Sequence, residues 1–296
     1  MQGSLIMGLS ELKVAVLSGK GGTGKTFITV NLAAVAGPST YVDCDVEEPN
    51  GHLFFKPEYA AEEIVTVKMP VVDQRQCTGC RKCVDFCRFG ALAYSNSGLM
   101  IFADICHSCG GCMFICPEGA LSENEKPMGK VRKWVAENVH GLSGILNIGE
   151  PSGVPLIHEL LSDMNDRPHP VFIDCPPGSA CAVMESIKEA DYCVLVSEPT
   201  LFGVHNLQIV WELVRLFKKP FGVVLNKVLP GEAMAESFCA ERGMHILARI
   251  PFTQHLGLLN SQGSIAVRED EDTRAVFLDL LKAISKEVHC EATAHS

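Results

Sequence analysis

Lys13-Val14-Ala15-Val16-Leu17-Ser18-Gly19-Lys20-Gly21-Gly22-Thr23-Gly24-Lys25-Thr26 decides the fold of this chain. Four apolar residues run together from Val14 to Leu17, the pattern of a strand buried on both faces. The eight residues from Gly19 to Thr26 fit G-x-x-x-x-G-K-[ST], and residues 26–36 then carry apolar side chains at helical spacing. A strand that turns through glycines into a helix aims backbone N–H groups and the positive helix end at one point, the geometry of a phosphate cradle. Gly19, Gly21, Gly22 and Gly24 permit the turn around Thr23. Lys20 and Lys25 supply positive charge, and the Thr26 hydroxyl suits Mg²⁺.

Outward from this loop, further strand-like runs fall at residues 41–44, 171–174, 192–197, 221–225 and 245–250. Helical patterns at 179–190 and 204–218 lie between them. The alternation predicts an α/β fold, a mostly parallel doubly wound sheet covered by helices on both faces. The second run ends in Asp43-Cys44-Asp45, whose two carboxylates point the same way from an extended chain. Val171-Phe172-Ile173-Asp174 is an apolar strand ending in a carboxylate, the arrangement that holds Mg²⁺ through water in phosphate-loop enzymes. Pro176 and Pro177 stiffen the chain after it, and Gly178 permits close backbone approach. A later strand ends in Asn226-Lys227. Guanine recognition of the familiar type would need Asp two residues beyond Lys227, where Leu229 stands.

Composition sets the class of partner. Of the 296 residues, 25 are Lys or Arg and 35 are Asp or Glu, and the net charge of -10 argues against a nucleic-acid backbone as the main partner. No apolar run approaches the roughly 18 residues of a bilayer span, and no signal peptide is evident, so a soluble cytoplasmic protein is expected. The pattern over residues 272–289 places Val276, Leu280, Ile284 and Val288 on one face of a final helix. Asp279 and Glu287 dilute its cations, so it is expected to dock on the domain and not on a membrane.

Fourteen cysteines are too many to be incidental, and eight of them cluster between residues 68 and 123. There the strand–helix alternation breaks, between Pro70 and Pro127. Cys77, Cys80, Cys83 and Cys87 recur as Cys106, Cys109, Cys112 and Cys116, each displaced by 29 positions. The doubled C-x2-C-x2-C-x3-C spacing, with Pro117 closing the second run, matches two-cluster ferredoxins. In that arrangement three closely spaced thiolates hold one cubane while the fourth crosses to the other. Cys77, Cys80, Cys83 and Cys116 are then the ligands of one 4Fe-4S cluster, and Cys106, Cys109, Cys112 and Cys87 of the second. Structural zinc instead draws paired C-x2-C units from separated segments. Full sulfur shells imply outer-sphere electron transfer. Arg75, Arg81, Lys82 and Arg88 surround the first run, where Arg88 replaces the usual proline. Cys44, Cys175, Cys193, Cys181, Cys239 and Cys290 remain, and those on strands are expected to be buried small hydrophobes.

Lys20-Gly21-Gly22-Thr23-Gly24-Lys25-Thr26 resembles the deviant Walker A motif of the MinD/ParA/Mrp superfamily, with Lys20 as its signature lysine. Residues 1–66 and 123–296 resemble such an ATPase, and residues 67–122 a bacterial two-cluster ferredoxin inserted into it. The resemblance implies that Lys20 reaches the partner's phosphates in a nucleotide-sandwich dimer and that Asp45 orients the attacking water. It places Asp43 near the metal's water shell and Gly178 near the γ-phosphate. It puts Asn226 at the adenine edge with Lys227 beside it and Pro251 packing nearby. The expected function is a slow, partner-stimulated ATPase binding ATP or ADP and Mg²⁺, a homodimer or a heterodimer with a paralogue. In it, Lys20, Lys25, Asp45 and Asp174 carry hydrolysis that gates electron transfer through two 4Fe-4S clusters to a redox partner. The alternatives are an Mrp-type cluster scaffold or carrier, and a ParA/MinD-like positioning or partitioning ATPase. Cys181 sits where the related nitrogenase iron protein carries a ligand of its intersubunit cluster, but the second such cysteine has no counterpart.

Overall fold

Every apolar run read from the sequence becomes a strand, joined by others that the sequence does not announce. The computed structural model describes residues 11–294. In chain order the strands are β1 (Lys13–Leu17), β2 (Ser39–Asp43), β3 (Glu58–Val72), β4 (Leu92–Ser95), β5 (Gly98–Ile101), β6 (Leu121–Ala136), β7 (Val139–Leu146), β8 (Val171–Asp174), β9 (Tyr192–Ser197), β10 (Phe221–Val228) and β11 (Ile246–Pro251). Nine of them form one sheet in the order β11-β10-β9-β1-β8-β2-β7-β6-β3, and β4 pairs with β5 separately. From β11 to β7 the pairing is parallel, and the last two strands run as an antiparallel edge.

Both faces of the parallel part are covered. On one face helices Lys25–Ala36 and Glu271–Ala294 pack over Val14, Val16, Phe172 and Tyr192, with the Phe27 and Phe277 rings edge to face at 6.0 Å. Phe277, Leu280 and Ile284 are fully buried there, so the final helix docks on the domain as its apolar stripe implied. On the other face helices Val154–Asp163, Cys181–Ile187, Leu201–Leu216 and Met234–Glu241 cover Ala15, Leu17, Ile173, Leu195 and Val223. Strand β8, between β1 and β2, is buried at all four positions, which is why it reads as an unbroken apolar run.

The antiparallel edge is the main departure from the sequence reading. β3 and β6 pair from Glu58 opposite Val135 to Val72 opposite Leu121, with register shifts at Tyr59/Ala61 and Val65/Thr66, forming a long ribbon, and Asp73 N–H closes it on the Ala120 carbonyl at 2.8 Å. Pro127 and Gly129 on β6, and Gly141 and Gly144 on β7, disguise these strands as linker. β7 pairs only with Gly129–Ala136 of β6, so Pro127 lies beyond that ladder. At Gly141 the missing side chain is filled by the Trp134 ring, buried opposite it, and the indole Nε1 donates to Ser143 Oγ at 3.1 Å. Along the ribbon Glu62 pairs with Lys130 and Arg132, and Lys133 with Glu63 and Asp163.

The ribbon carries the cysteine-rich segment at its far end. That segment has its own small core of Cys83, Leu92, Leu99, Cys112 and Leu121, two of whose members are thiols. So little apolar volume supplies little folding free energy without a covalent or metal cross-link.

Candidate functional site

The parallel strands deliver their carboxyl ends to one rim, and a cavity of about 600 Å³ opens there. Ser18, Lys20, Gly21, Gly22, Thr23, Gly24, Lys25 and Thr26 line it from the β1 turn, Asp45 from the β2 turn, Asn226 and Lys227 from β10, and Pro251 from β11. Gly24 caps the helix Lys25–Ala36 at φ 92° with no side-chain bond, so the first helical N–H groups face the cavity. An added Cβ at Gly24 would stand 2.2 Å from Asn226 Nδ2, and one at Gly19 2.3 Å from the Asn206 carbonyl. The two ends of the loop, at Gly19 and Gly24, therefore leave no room for a side chain. Thr23 Oγ1 is buried and has no hydrogen-bond partner in the chain, an orphan that fits an anion seated in the loop.

Beneath the loop lies a buried charge network. β1, β8 and β2 are adjacent, and register sets Asp174 level with both Val16 and Asp43. Lys25 Nζ donates to Asp174 Oδ1 at 2.9 Å and stands 3.7 Å from Asp45 Oδ2. Tyr41 OH donates to Asp174 Oδ2 at 2.9 Å. Burial opposes the charge on Lys25, but Asp174 and Asp45 outweigh it and push its pKa up to about 12. Burial, reinforced by Asp174, pushes Asp43 well above the usual carboxylate range. Burial also lifts Asp45 to about 6, against the pull of Lys25. Tyr41 is held well above its ordinary value by burial and by Asp174 and Asp43.

Some residues expected at the cavity wall lie behind it. Asp43 is fully buried and accepts Gly51 N–H at 3.0 Å. Gly178, at φ 94°, donates its N–H to the Ser18 carbonyl at 2.9 Å, closing the turn after β8 on the turn after β1. Asn226 Nδ2 donates to the Thr23 carbonyl at 2.8 Å, and Lys227 Nζ to the Gly22 carbonyl at 2.6 Å. The pair from β10 thus pins the phosphate loop itself. Sequence reasoning overlooked Tyr41 and Glu198. Glu198 follows β9 as Asp174 ends β8, so a carboxylate at a strand end was the available signal; it binds Lys20 and Lys227, each at 2.7 Å.

The eight clustered cysteines separate into two groups. Cys77, Cys80, Cys83 and Cys116 line one small cavity beside Arg81, and Cys87, Cys106, Cys109 and Cys112 line another beside Arg88. Burial raises the Cys83 and Cys112 thiols, with Cys116 and Cys77 adding to the first and Cys106 and Cys109 to the second. Among the described residues no three or more His, Cys, Asp or Glu converge tightly enough to hold a single metal ion. The structure therefore does not display a metal centre. A ring of thiols around a cavity is nonetheless compatible with a multi-iron cluster, whereas zinc draws four sulfurs to about 2.3 Å from one point. Of the other cysteines, Cys44, Cys175, Cys193 and Cys239 are buried and Cys181 is exposed at the start of its helix; the Cys290 side chain lies outside the described residues.

Among the described residues no helix is long and apolar enough to cross a membrane. Residues 14–266 match the family model of the CobQ/CobB/MinD/ParA nucleotide binding domain. Two uncharacterized proteins of Methanocaldococcus jannaschii are similar: MJ0579, 27% identical over 74% of this chain and 81% of its own length, and MJ0578, 29% identical over 73% and 78%. The fold is shared with the cell division ATPase MinD of Pyrococcus furiosus, with TM-score 0.57, 19% identity and coverage of 93% of this chain and 98% of that one. It is shared too with MinD from Pyrococcus horikoshii complexed with Mg-ADP, at TM-score 0.56, 17% identity and 92% and 94% coverage. An ATP complex of a McdA variant from Cyanothece matches at TM-score 0.57, 15% identity and 93% and 96% coverage.

Proposed function

The chain belongs to the CobQ/CobB/MinD/ParA nucleotide-binding family, and from that membership we propose that it is an Mg-ATP-dependent switch of the MinD/ParA kind, pairing two chains around nucleotide to act on a partner protein. The observation that carries this reading is the convergence of Lys20, Lys25, Thr26 and Asp45 on one cavity of about 600 Å³. On this reading Lys25 would neutralise phosphate charge, Thr26 and the buried Asp174 would hold Mg²⁺, Asp174 through water, and Asp45 would orient the attacking water. Lys20 reaches the phosphates of the second chain. Among the functions expected from sequence, this MinD/ParA-like one is favoured by the likeness to MinD and McdA. The net charge of -10 favours a protein partner over nucleic acid. Sedimentation of the full chain with Mg-ATP, with Mg-ADP and without nucleotide tests it. Pairing with Mg-ATP alone is expected, and one unchanging species in all three removes the switch.

A second reading concerns the output of that switch and rests on the two cysteine-lined cavities. Cys77, Cys80, Cys83 and Cys116 would hold one 4Fe-4S cluster, and Cys87, Cys106, Cys109 and Cys112 the other, and bound clusters supply one-electron transfer. Cys83 and Cys112 belong to the small apolar core of this segment, so clusters would also staple it. Arg81 and Arg88 place positive charge beside the two sites. Nucleotide state would then gate electron delivery to the partner. In chain order the segment and its β3–β6 ribbon fall between β2, which leads to Asp45, and β8, which ends in Asp174, and in the sheet the ribbon is connected to β2 through β7. Iron analysis after anaerobic purification tests this part independently of nucleotide.

A further inference from the structure

Every cation lining the cavity is already matched by a carboxylate of the same chain: Lys25 by Asp174 and Asp45, Lys20 and Lys227 by Glu198. The Glu198 arrangement differs in kind from the buried Lys25 network. Glu198 Oε2 takes Lys20 Nζ at 2.7 Å and Oε1 takes Lys227 Nζ at 2.7 Å, so one carboxylate divides itself between two ammonium groups. The Lys227 ammonium is also anchored on the Gly22 carbonyl. Lys20 has no second bond of this kind, and its side chain is 36% exposed against 13% for Glu198.

The position of Glu198 is fixed by its backbone. Ser197 Oγ donates to the Glu198 carbonyl at 3.1 Å, and an added Cβ at Gly203 would lie 2.0 Å from that same oxygen. Thr200 caps the following helix by accepting Gly203 N–H at 3.0 Å. The turn is thus clamped between β9 and the helix. The carboxylate is the stationary member of the pair and the Lys20 side chain the movable one. A half-exposed ion pair of this kind is weak enough to be exchanged for a more highly charged anion.

We propose that Glu198 is a positioning residue that retains Lys20 on its own chain and so sets the ATP concentration at which two chains pair. This rests on the reading of Lys20 as the lysine that reaches the second chain's phosphates. Pairing requires the Lys20 ammonium to leave one carboxylate oxygen and take phosphate oxygens instead. Glu198 keeps Lys227 throughout, so the pin on Gly22 survives the exchange. Without the Glu198 charge Lys20 is released in advance, and less nucleotide suffices.

The test is sedimentation velocity of the full chain with Mg²⁺ and a titrated non-hydrolysable ATP analogue, for wild type, Glu198→Gln, Glu198→Asp and Lys20→Ala. Glu198→Gln should pair at about fivefold lower analogue concentration, the scale of a weak exposed ion pair. Glu198→Asp, with its charge kept but its reach shortened, should fall between. Lys20→Ala should pair poorly at every concentration. A Glu198→Gln midpoint equal to or above wild type, with Lys20→Ala defective, overturns the Glu198 proposal and leaves the reading of Lys20 standing. Normal pairing by Lys20→Ala overturns that reading itself. If Glu198→Gln does not fold, the Glu198→Asp midpoint decides: below wild type supports the proposal, unchanged or higher overturns it.

Discussion

The Lys25 ammonium and the Asp174 carboxylate meet 2.9 Å apart with both side chains almost wholly shielded from water. The phosphate loop and the end of β8 are therefore joined by a buried ion pair, further braced by Thr29 Oγ1 and Tyr41 OH on the two Asp174 oxygens. Such a pair is costly to break from one side, because the remaining charge stays buried without compensation.

Lys25→Ala is expected to abolish tight Mg-ATP binding and to destabilise the ATPase domain by about 3–5 kcal/mol. Chemical denaturation and nucleotide titration measure the two effects. Lys25→Met combined with Asp174→Asn should recover much of the stability while leaving binding lost. Equal stabilities of Lys25→Ala and wild type would show that the pair does not support the fold.

Asp45→Ala should bind ATP close to normally and hydrolyse it slowly. Asp45 lines the cavity at 3.7 Å from Lys25 without carrying the loop, whereas Lys25 and Thr26 belong to the loop. Losing the group that positions water slows phosphoryl transfer far more than it weakens binding. The variant should accumulate as a paired species with ATP, read by sedimentation together with phosphate release. Parallel losses in affinity and turnover contradict the assignment.

Asp45 also predicts a pH profile. Burial lifts its pKa to about 6, above the unfolded value near 3.9, so the fold favours the protonated form. That contribution to stability is full below about pH 4 and lost as pH rises through 6. The carboxylate is a stronger hydrogen-bond acceptor for the attacking water than the protonated acid, so kcat/KM for ATP should rise through about pH 6, and Asp45→Asn should flatten that limb. An unaltered inflection in Asp45→Asn assigns it to another group.

Cys116→Ser and Cys87→Ser separate crossed from uncrossed ligation. Anaerobically purified wild type should hold about eight irons per chain. Cys116 lines the cavity of Cys77, Cys80 and Cys83, while Cys87 lines that of Cys106, Cys109 and Cys112. Cys116→Ser and Cys83→Ser should therefore perturb the same electron paramagnetic resonance signal, and Cys87→Ser the other. Zinc in place of iron after anaerobic reconstitution removes the electron-transfer reading.

Gly141→Ala tests the unannounced edge of the sheet. A Cβ there would lie 1.9 Å from Trp134 Cε2, inside a rigid buried ring that also donates to Ser143. Overpacking of this kind costs about 1–3 kcal/mol. The melting temperature should fall and the Trp134 fluorescence shift, while nucleotide affinity stays within a factor of two.

Features encoded at short range are legible in the sequence. The Gly19 to Thr26 spacing, the apolar run that ends in Asp174 and the doubled cysteine pattern each depend on residues a few positions apart, where backbone geometry leaves little choice. From these came the α/β class, the loop, and the two cysteine groupings that the cavities repeat. The folded chain adds what is set by pairing between separate segments. It placed Tyr41 and Lys25 on Asp174, turned Asn226 and Lys227 onto the loop backbone, and set Glu198 against Lys20. It also made β3, β6 and β7 strands in spite of their prolines, glycines and charges, because hydrogen bonds to a neighbouring strand and the Trp134 ring over Gly141 outweigh weak local propensity. The rim contacts join residues more than a hundred positions apart, and no local pattern records which carboxylate a lysine will meet once the sheet brings their strand ends together.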